Sequence, residues 1–294
     1  VTALSLQILT ILAPGIILAL IGLIWFHRGP AFPVDFVTTL VLNIGMPALL
    51  FHTLANSSVS IGELGVMAAA TLVLHIVFTA IAIVLLKFAG KDWRLCIALV
   101  VGNTGNLGLP VCLLAFGEDG LAFAMTYFAV QCVLLFSFGD AISSGNASVM
   151  RLLRSPILHA IWIGVVVRIL GWSVPAFIVE TTQLLGQLVI PVMLITLGVS
   201  LAGMRSSQLP SNLLWSAVRT GLAVLIAVGI AALFQLEGVA RGVLIIETVV
   251  PVAVFNYLLA VRDGRDSSEV SGLILVTHVA SIAYLPIVLA MLLR

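Results

Sequence analysis

Two groups of polar and helix-breaking residues, set inside otherwise apolar runs, carry the chemistry this sequence offers. GNTGNLGLP, from Gly102 to Pro110, places Gly102, Gly105, Gly108, Asn103, Asn106 and Pro110 in one run, and IETVVPVAVFN, from Ile246 to Asn256, places Glu247, Thr248, Pro251 and Asn256 in another. Proline removes a backbone donor and clashes with the preceding turn, while glycine leaves helical dihedrals at little cost. A helix broken at such a place exposes free N–H groups at the start of its second half and free carbonyls at the end of its first. The N–H end attracts a carboxylate and the carbonyl end a cation. The plainer alternative is a proline kink packed against a neighbouring helix. Glu247 lies inside its run, where an ionised side chain is costly without a partner, so it is a candidate proton or sodium site. Its alternative is a pair with Arg241 near the surface.

Those runs are part of a chain with too little polar surface to cover a soluble globule: 62% hydrophobic residues, 9% charged, mean hydropathy +1.26. About ten apolar stretches approach spanning length, at roughly 4–26, 36–55, 64–87, 94–115, 120–139, 156–172, 181–203, 211–235, 239–261 and 270–293. The expected fold class is an all-α integral membrane protein. Its short connections leave no room for a soluble catalytic domain, and a net charge of +1 gives no basic patch for nucleic acid. No HExxH, paired aspartates or nucleophile–base spacing appears in any span, so no enzyme and no cofactor is expected. Cys96, Cys112 and Cys132 lack metal-ligand spacing and read as small buried residues. The first run is too long for a signal-peptide core and reads as a retained helix.

The same phrase occurs twice. PAFPVD at Pro30–Asp35 returns as PAFIVE at Pro175–Glu180, and each copy precedes a span interrupted by proline, Pro47 in one and Pro191 in the other. A repeat of about 145 residues with five spans cannot be a translation, because an odd number of crossings starts the second copy from the opposite side. The expectation is two inverted five-helix repeats, 1–145 and 146–294, whose breaks meet at mid-membrane, which is the best sequence pointer to a carrier's binding site. Arg28, Lys87, Lys91, Arg94, Arg151, Arg154, Arg205, Arg262 and Arg265 fall beside loops of one side, against Arg168, Arg241 and Arg294 on the other. By the positive-inside rule both termini lie outside the cytoplasm. Arg219 is expected to snorkel toward the inner surface. Gln131 and His278 hold nearly equivalent places in the two halves, while Asn43 and His52 in the second span add polar groups near Pro47.

At GNTGNLGLP the sequence resembles the auxin efflux carrier family, which includes the plant PIN carriers and bacterial carriers of malonate and malate. The likeness runs the full length and includes MPALLFHTLA (Met46–Ala55), FAVQC (Phe128–Cys132) and VPVAVFNYLLA (Val250–Ala260). The resemblance implies that Asn103 contacts a substrate carboxylate, with Gln131 in the cavity nearby. It implies ten helices, broken crossing helices 4 and 9, a scaffold of helices 1, 2, 6 and 7, a mobile transport domain of helices 3–5 and 8–10, elevator motion and a homodimer. The long cytoplasmic loop and the second-span lysine of the PIN carriers are missing here, so a bacterial inner-membrane carrier of a small carboxylate fits better than one of indole acids. The more distant sodium–bile acid symporters look similar in their crossed helices, which makes Na+ near Glu247 an alternative to H+ as coupling ion. An anion channel is the alternative without domain motion. The site residues expected are Asn103, Gly105, Asn106, Pro110, Gln131, Pro251 and Asn256 for substrate. Glu247, Thr248 and His278 are expected for a coupling ion, and Asn43, Pro47, His52 and Pro191 on the scaffold side.

Overall fold

The computed structural model describes residues 2–139, 154–206, 208–262, 264 and 267–293. Most of the segment joining the expected repeats, the boundary at 145 and 146, and Arg151, Arg265 and Arg294 lie outside the described residues. The described residues form helices: α1 (Thr2–Arg28), α2 (Val34–Leu40), α3 (Met46–Asn56), α4 (Ile61–Phe88), α5 (Cys96–Val100) and α6 (Leu109–Leu134). After the gap follow α7 (Pro156–Ile169), α8 (Ala176–Gln187), α9 (Val189–Ala202), α10 (Leu209–Leu233), α11 (Gly238–Val249), α12 (Phe255–Arg262) and α13 (Ser267–Leu292). Large apolar side chains such as Leu6, Ile17, Phe36, Trp162, Leu225 and Met291 cover the exterior. This is a multi-spanning membrane protein, because such a surface is stable against acyl chains and not against water.

Among the described residues seven helical stretches are long and apolar enough to cross a membrane. The difference from the ten runs of the sequence has physical causes. The run at 94–115 is cut after α5, the run at 239–261 is cut between α11 and α12, and α7 has only 14 residues. A fourth cause is that the 34-residue stretch Thr104–Ser137 is not one rod. Gln131 is hydrogen-bonded to Thr104, 27 positions away, whereas a straight helix would separate them by about 40 Å. The chain folds back at Gly117, which has φ 67° and ψ −154°. Only glycine holds that region without strain, so Gly117→Ala is expected to cost about 1–3 kcal/mol although the space for a methyl group is open. A lowered melting temperature of the purified variant checks it.

The two other prolines of the repeat act as the sequence suggests. The N–H missing at Pro47 would have bonded the carbonyl of Asn43, and the ladder widens there into a π turn over Val41–Gly45. The N–H missing at Pro191 would have bonded Gln187, and α8 gives way to α9 at Leu188.

α1 packs most closely on α9, and α3 packs on α7 and α8. Elsewhere α4 and α11 pack on α6, and α10 on α11 and α13. The α1–α9 approach depends on small residues: a Cβ on Gly22 would strike the carbonyl of Ile195, and one on Gly198 the carbonyl of Ala19.

Candidate functional site

The interrupted stretches lie against one another. Asn103 donates its backbone N–H to the carbonyl of Pro251 at 2.7 Å, Ala253 donates to Val101 at 3.1 Å, and Gly102 pairs antiparallel with Val252. Two short extended strands thus satisfy each other's backbone inside the protein, where an unpaired group would cost several kcal/mol.

Side chains close what remains. Gln131 donates to the carbonyl of Gly102 at 3.1 Å and to the Thr104 hydroxyl at 2.8 Å, so both its N–H groups brace the break. Asn256 donates to the carbonyl of Val101 at 3.1 Å, and the Thr277 hydroxyl accepts from the N–H of Val252 at 3.2 Å. Asn103 is buried with Nδ2 3.1 Å from Nε2 of His278. Nδ1 of that histidine lies 2.8 Å from the carbonyl of Ile274, which can only accept. The ring proton therefore sits on Nδ1, and Nε2 accepts from the asparagine. This leaves the second amide proton and Oδ1 of Asn103 for another partner.

Beyond the break the chain re-enters a helix through a π turn at Thr104–Gly108. The first turn of a helix has no internal partners for its N–H groups. Here those groups belong to Thr104, Gly105 and Asn106, and all three residues line a cavity of about 150 Å³. That is roughly ten times the space one water needs. Ala253, Val254 and Phe255, at the start of α12, line the same cavity. The amide ends of both second halves therefore face one space. Its other walls include Val41, Phe128, Met193, Thr196 and Ser200, and among the described residues no lining residue is charged. The Asn106 side chain, half-buried there, has no hydrogen-bond partner among the described residues.

Of the expected substrate residues, Asn103, Gly105, Asn106 and Gln131 come together in this cavity. Pro251 and Asn256 lie behind it, engaged in the crossing. Pro110 does not break the helix: it occupies the start of α6, where a missing N–H is harmless, and lines a second cleft with Ser5, Leu107 and Pro286. The non-helical residues are Val101–Asn103, upstream of the prolyl ring. Asn43 is exposed, His52, Pro47 and Pro191 are half-buried, and none of the four lines the cavity.

Glu247 is fully buried on the far side of the crossing. Its carboxylate lies against Gly108, where a Cβ would overlap it, and Oε1 accepts from the Cys112 thiol at 3.6 Å. Oε2 has no partner, and no bond to Arg241 forms. Thr248 donates to Leu244 and meets the Tyr127 hydroxyl at 3.3 Å.

Arg219 corrects an expectation outright. It does not snorkel: it is fully buried, donating to the carbonyl of Leu99 at 3.1 Å, of Val249 at 3.3 Å and of Thr248 at 3.4 Å. Sequence reasoning gave it no place in the site, although one signal was present. It lies 10 residues into the 25-residue helix α10, about 15 Å from its nearer end, too deep for its head to reach the surface.

The profile of the family described as membrane transport protein matches residues 141–289, just over half of the chain. The chain belongs to the membrane transport protein family. Two curated relatives of this transporter extend the likeness over most of its length. An uncharacterized transporter of Methanothermobacter thermautotrophicus is 28% identical over 301 residues, covering 97% of this chain and 96% of that protein. Another, of Methanocaldococcus jannaschii, is 24% identical over 267 residues, covering 84% and 85%. The crossing is thus a feature of a membrane transporter rather than of an enzyme.

Proposed function

We propose that the protein is a secondary carrier of small organic anions, carboxylates of the malonate or malate kind, of the auxin efflux carrier type. One observation carries this reading: two amide-bearing helix starts, Thr104–Asn106 and Val254–Phe255, face a single cavity without charged side chains. Each start carries up to about half a positive charge, and a carboxylate is the ligand that suits both. Asn103 and Asn106 add donors at the same place. The apolar remainder of the wall suits the hydrocarbon part of an organic acid.

The direction of access follows from charge. Val34, Ile157, Ser200 and Leu258 of the cavity lie within a few residues of Arg28, Arg154, Arg205 and Arg262. The lining thus approaches the helix ends that collect basic residues, and we infer that the cavity opens to that side, cytoplasmic by the positive-inside rule, with both termini outside. The cleft at Ser5, Pro110 and Pro286 lies on the opposite side of the π turn. Two approaches separated by one turn of chain suit alternating access by an elevator. In it α1–α3 and α7–α9 form the scaffold, and α4–α6 and α10–α13 the transport domain. The antiparallel meeting of the breaks supports two inverted five-span repeats, 1–145 and 146–294, and the homodimer of ten-span subunits in this proposal rests on the family resemblance alone.

Purified protein in proteoliposomes is expected to take up labelled malonate or malate with saturation and to exchange it against unlabelled acid. Binding of neither mono- nor dicarboxylates, or flux linear in concentration, would overturn the carrier reading.

A further inference from the structure

Broken-helix carriers use the carbonyl ends of their half-helices to coordinate a coupling cation. In this protein that position is taken by the chain itself. α5 and α11 end where the two breaks pair, and the last turn of each leaves carbonyls without helical partners. Those of Leu99, Thr248 and Val249 all accept from the one guanidinium of Arg219. Tyr284 adds a hydroxyl to Val249 at 2.8 Å, and the carbonyls of Val101, Gly102 and Pro251 are bonded within the crossing.

We propose that Arg219 is the resident cation of the crossing: its guanidinium stands where a metal ion would, and clamps the two carbonyl ends so that the amide ends beyond them face the anion. This rests on the carrier reading and deepens it. It names Arg219 as a positioning residue and makes substrate binding independent of sodium.

Charge and shape both fit. Two half-helix ends carry at most about half a negative charge each, together about what one guanidinium neutralises. A planar fork of five donors bridges carbonyls on two helices, which an ammonium cannot do with the same reach. The guanidinium also lies one backbone thickness from the cavity. A Cβ on Gly102, which lines that cavity, would come within 3.2 Å of its Nη2. With little water between, the positive charge acts on an anion at Asn103 far more strongly than it would across solvent.

The test is chemical replacement of the cation. Arg219→Ala, purified in detergent, is expected to melt lower than the wild type. Millimolar methylguanidinium should then raise its melting temperature saturably while leaving the wild type unmoved, and methylurea, of nearly the same shape without charge, should do nothing. Carboxylate affinity is expected to fall by about tenfold or more in Arg219→Ala, to recover with methylguanidinium, and to be partly kept in Arg219→Lys. Exchanging sodium for choline should leave the melting and affinity of the wild type unchanged.

A sodium-specific stabilisation of the wild type, or a methylguanidinium response no larger in Arg219→Ala than in the wild type, overturns the proposal. Should neither variant fold, the wild-type exchange of sodium for choline decides alone. The melting readout needs no substrate. Failure of the carrier reading would instead appear as wild-type protein that binds no carboxylate.

Discussion

Asn103→Ala is expected to weaken carboxylate binding by about one to two orders of magnitude, the effect of losing one hydrogen bond to a charged group. The fold should hold, because the backbone bonds that make the break do not involve the side chain: the N–H of Asn103 still reaches Pro251, and its carbonyl still accepts from Leu107 and Gly108. What disappears is the amide between His278 and the cavity. Asn103→Asp, of the same size but negatively charged, should abolish binding. Calorimetric titration of both variants with the wild-type substrate decides, and an Asn103→Ala protein that binds as the wild type does would remove the residue from the site.

The second large effect is expected at Glu247. Among the described residues one carboxylate oxygen has no partner and the other has only a thiol at 3.6 Å, while the guanidinium of Arg219 is committed to carbonyls. An unpaired charge buried in this way costs several kcal/mol, so a proton carried on this carboxyl is the expected means of neutralising it. Glu247→Gln keeps the shape and fixes the neutral form. Uptake by that variant is expected to lose its dependence on external pH while substrate affinity changes little. A pH profile matching that of the wild type would leave Glu247 as a packing residue beside Gly108.

The place of the candidate site was legible because breaks are written in residue types. Glycines, asparagines and prolines stand out in an apolar run, and Asn103, Gly105, Asn106 and Gln131 do converge on one cavity. The identity of the breaking residues was less legible. Pro110 drew attention, yet a proline in the first turn of a helix disturbs nothing, and the unwound residues precede it. Gln131 was read as a ligand residue, but its donors are spent on Gly102 and Thr104, a fact that depends on the chain turning back at Gly117. The depth of Arg219 in α10 was legible, but its partners were not, for a related reason. One arginine in an apolar helix carries no sign that two sets of unpaired carbonyls, from residues 120 and 30 positions away, come within reach of it.

The glycines of α1 and α9 bear on how the molecule can deform. Where Gly22 and Gly198 seat one backbone into the other, neither rod can slip lengthwise without first lifting clear, so the pair behaves as a single beam. Sliding is cheap only where pliable side chains meet a smooth surface. Met46 and Met193 offer that against Gly105, since a thioether bends through several rotamers at little cost. The seam of greatest compliance therefore passes beside the cavity at Thr104–Asn106, so a ligand filling that space would bear directly on the joint that yields in the proposed elevator.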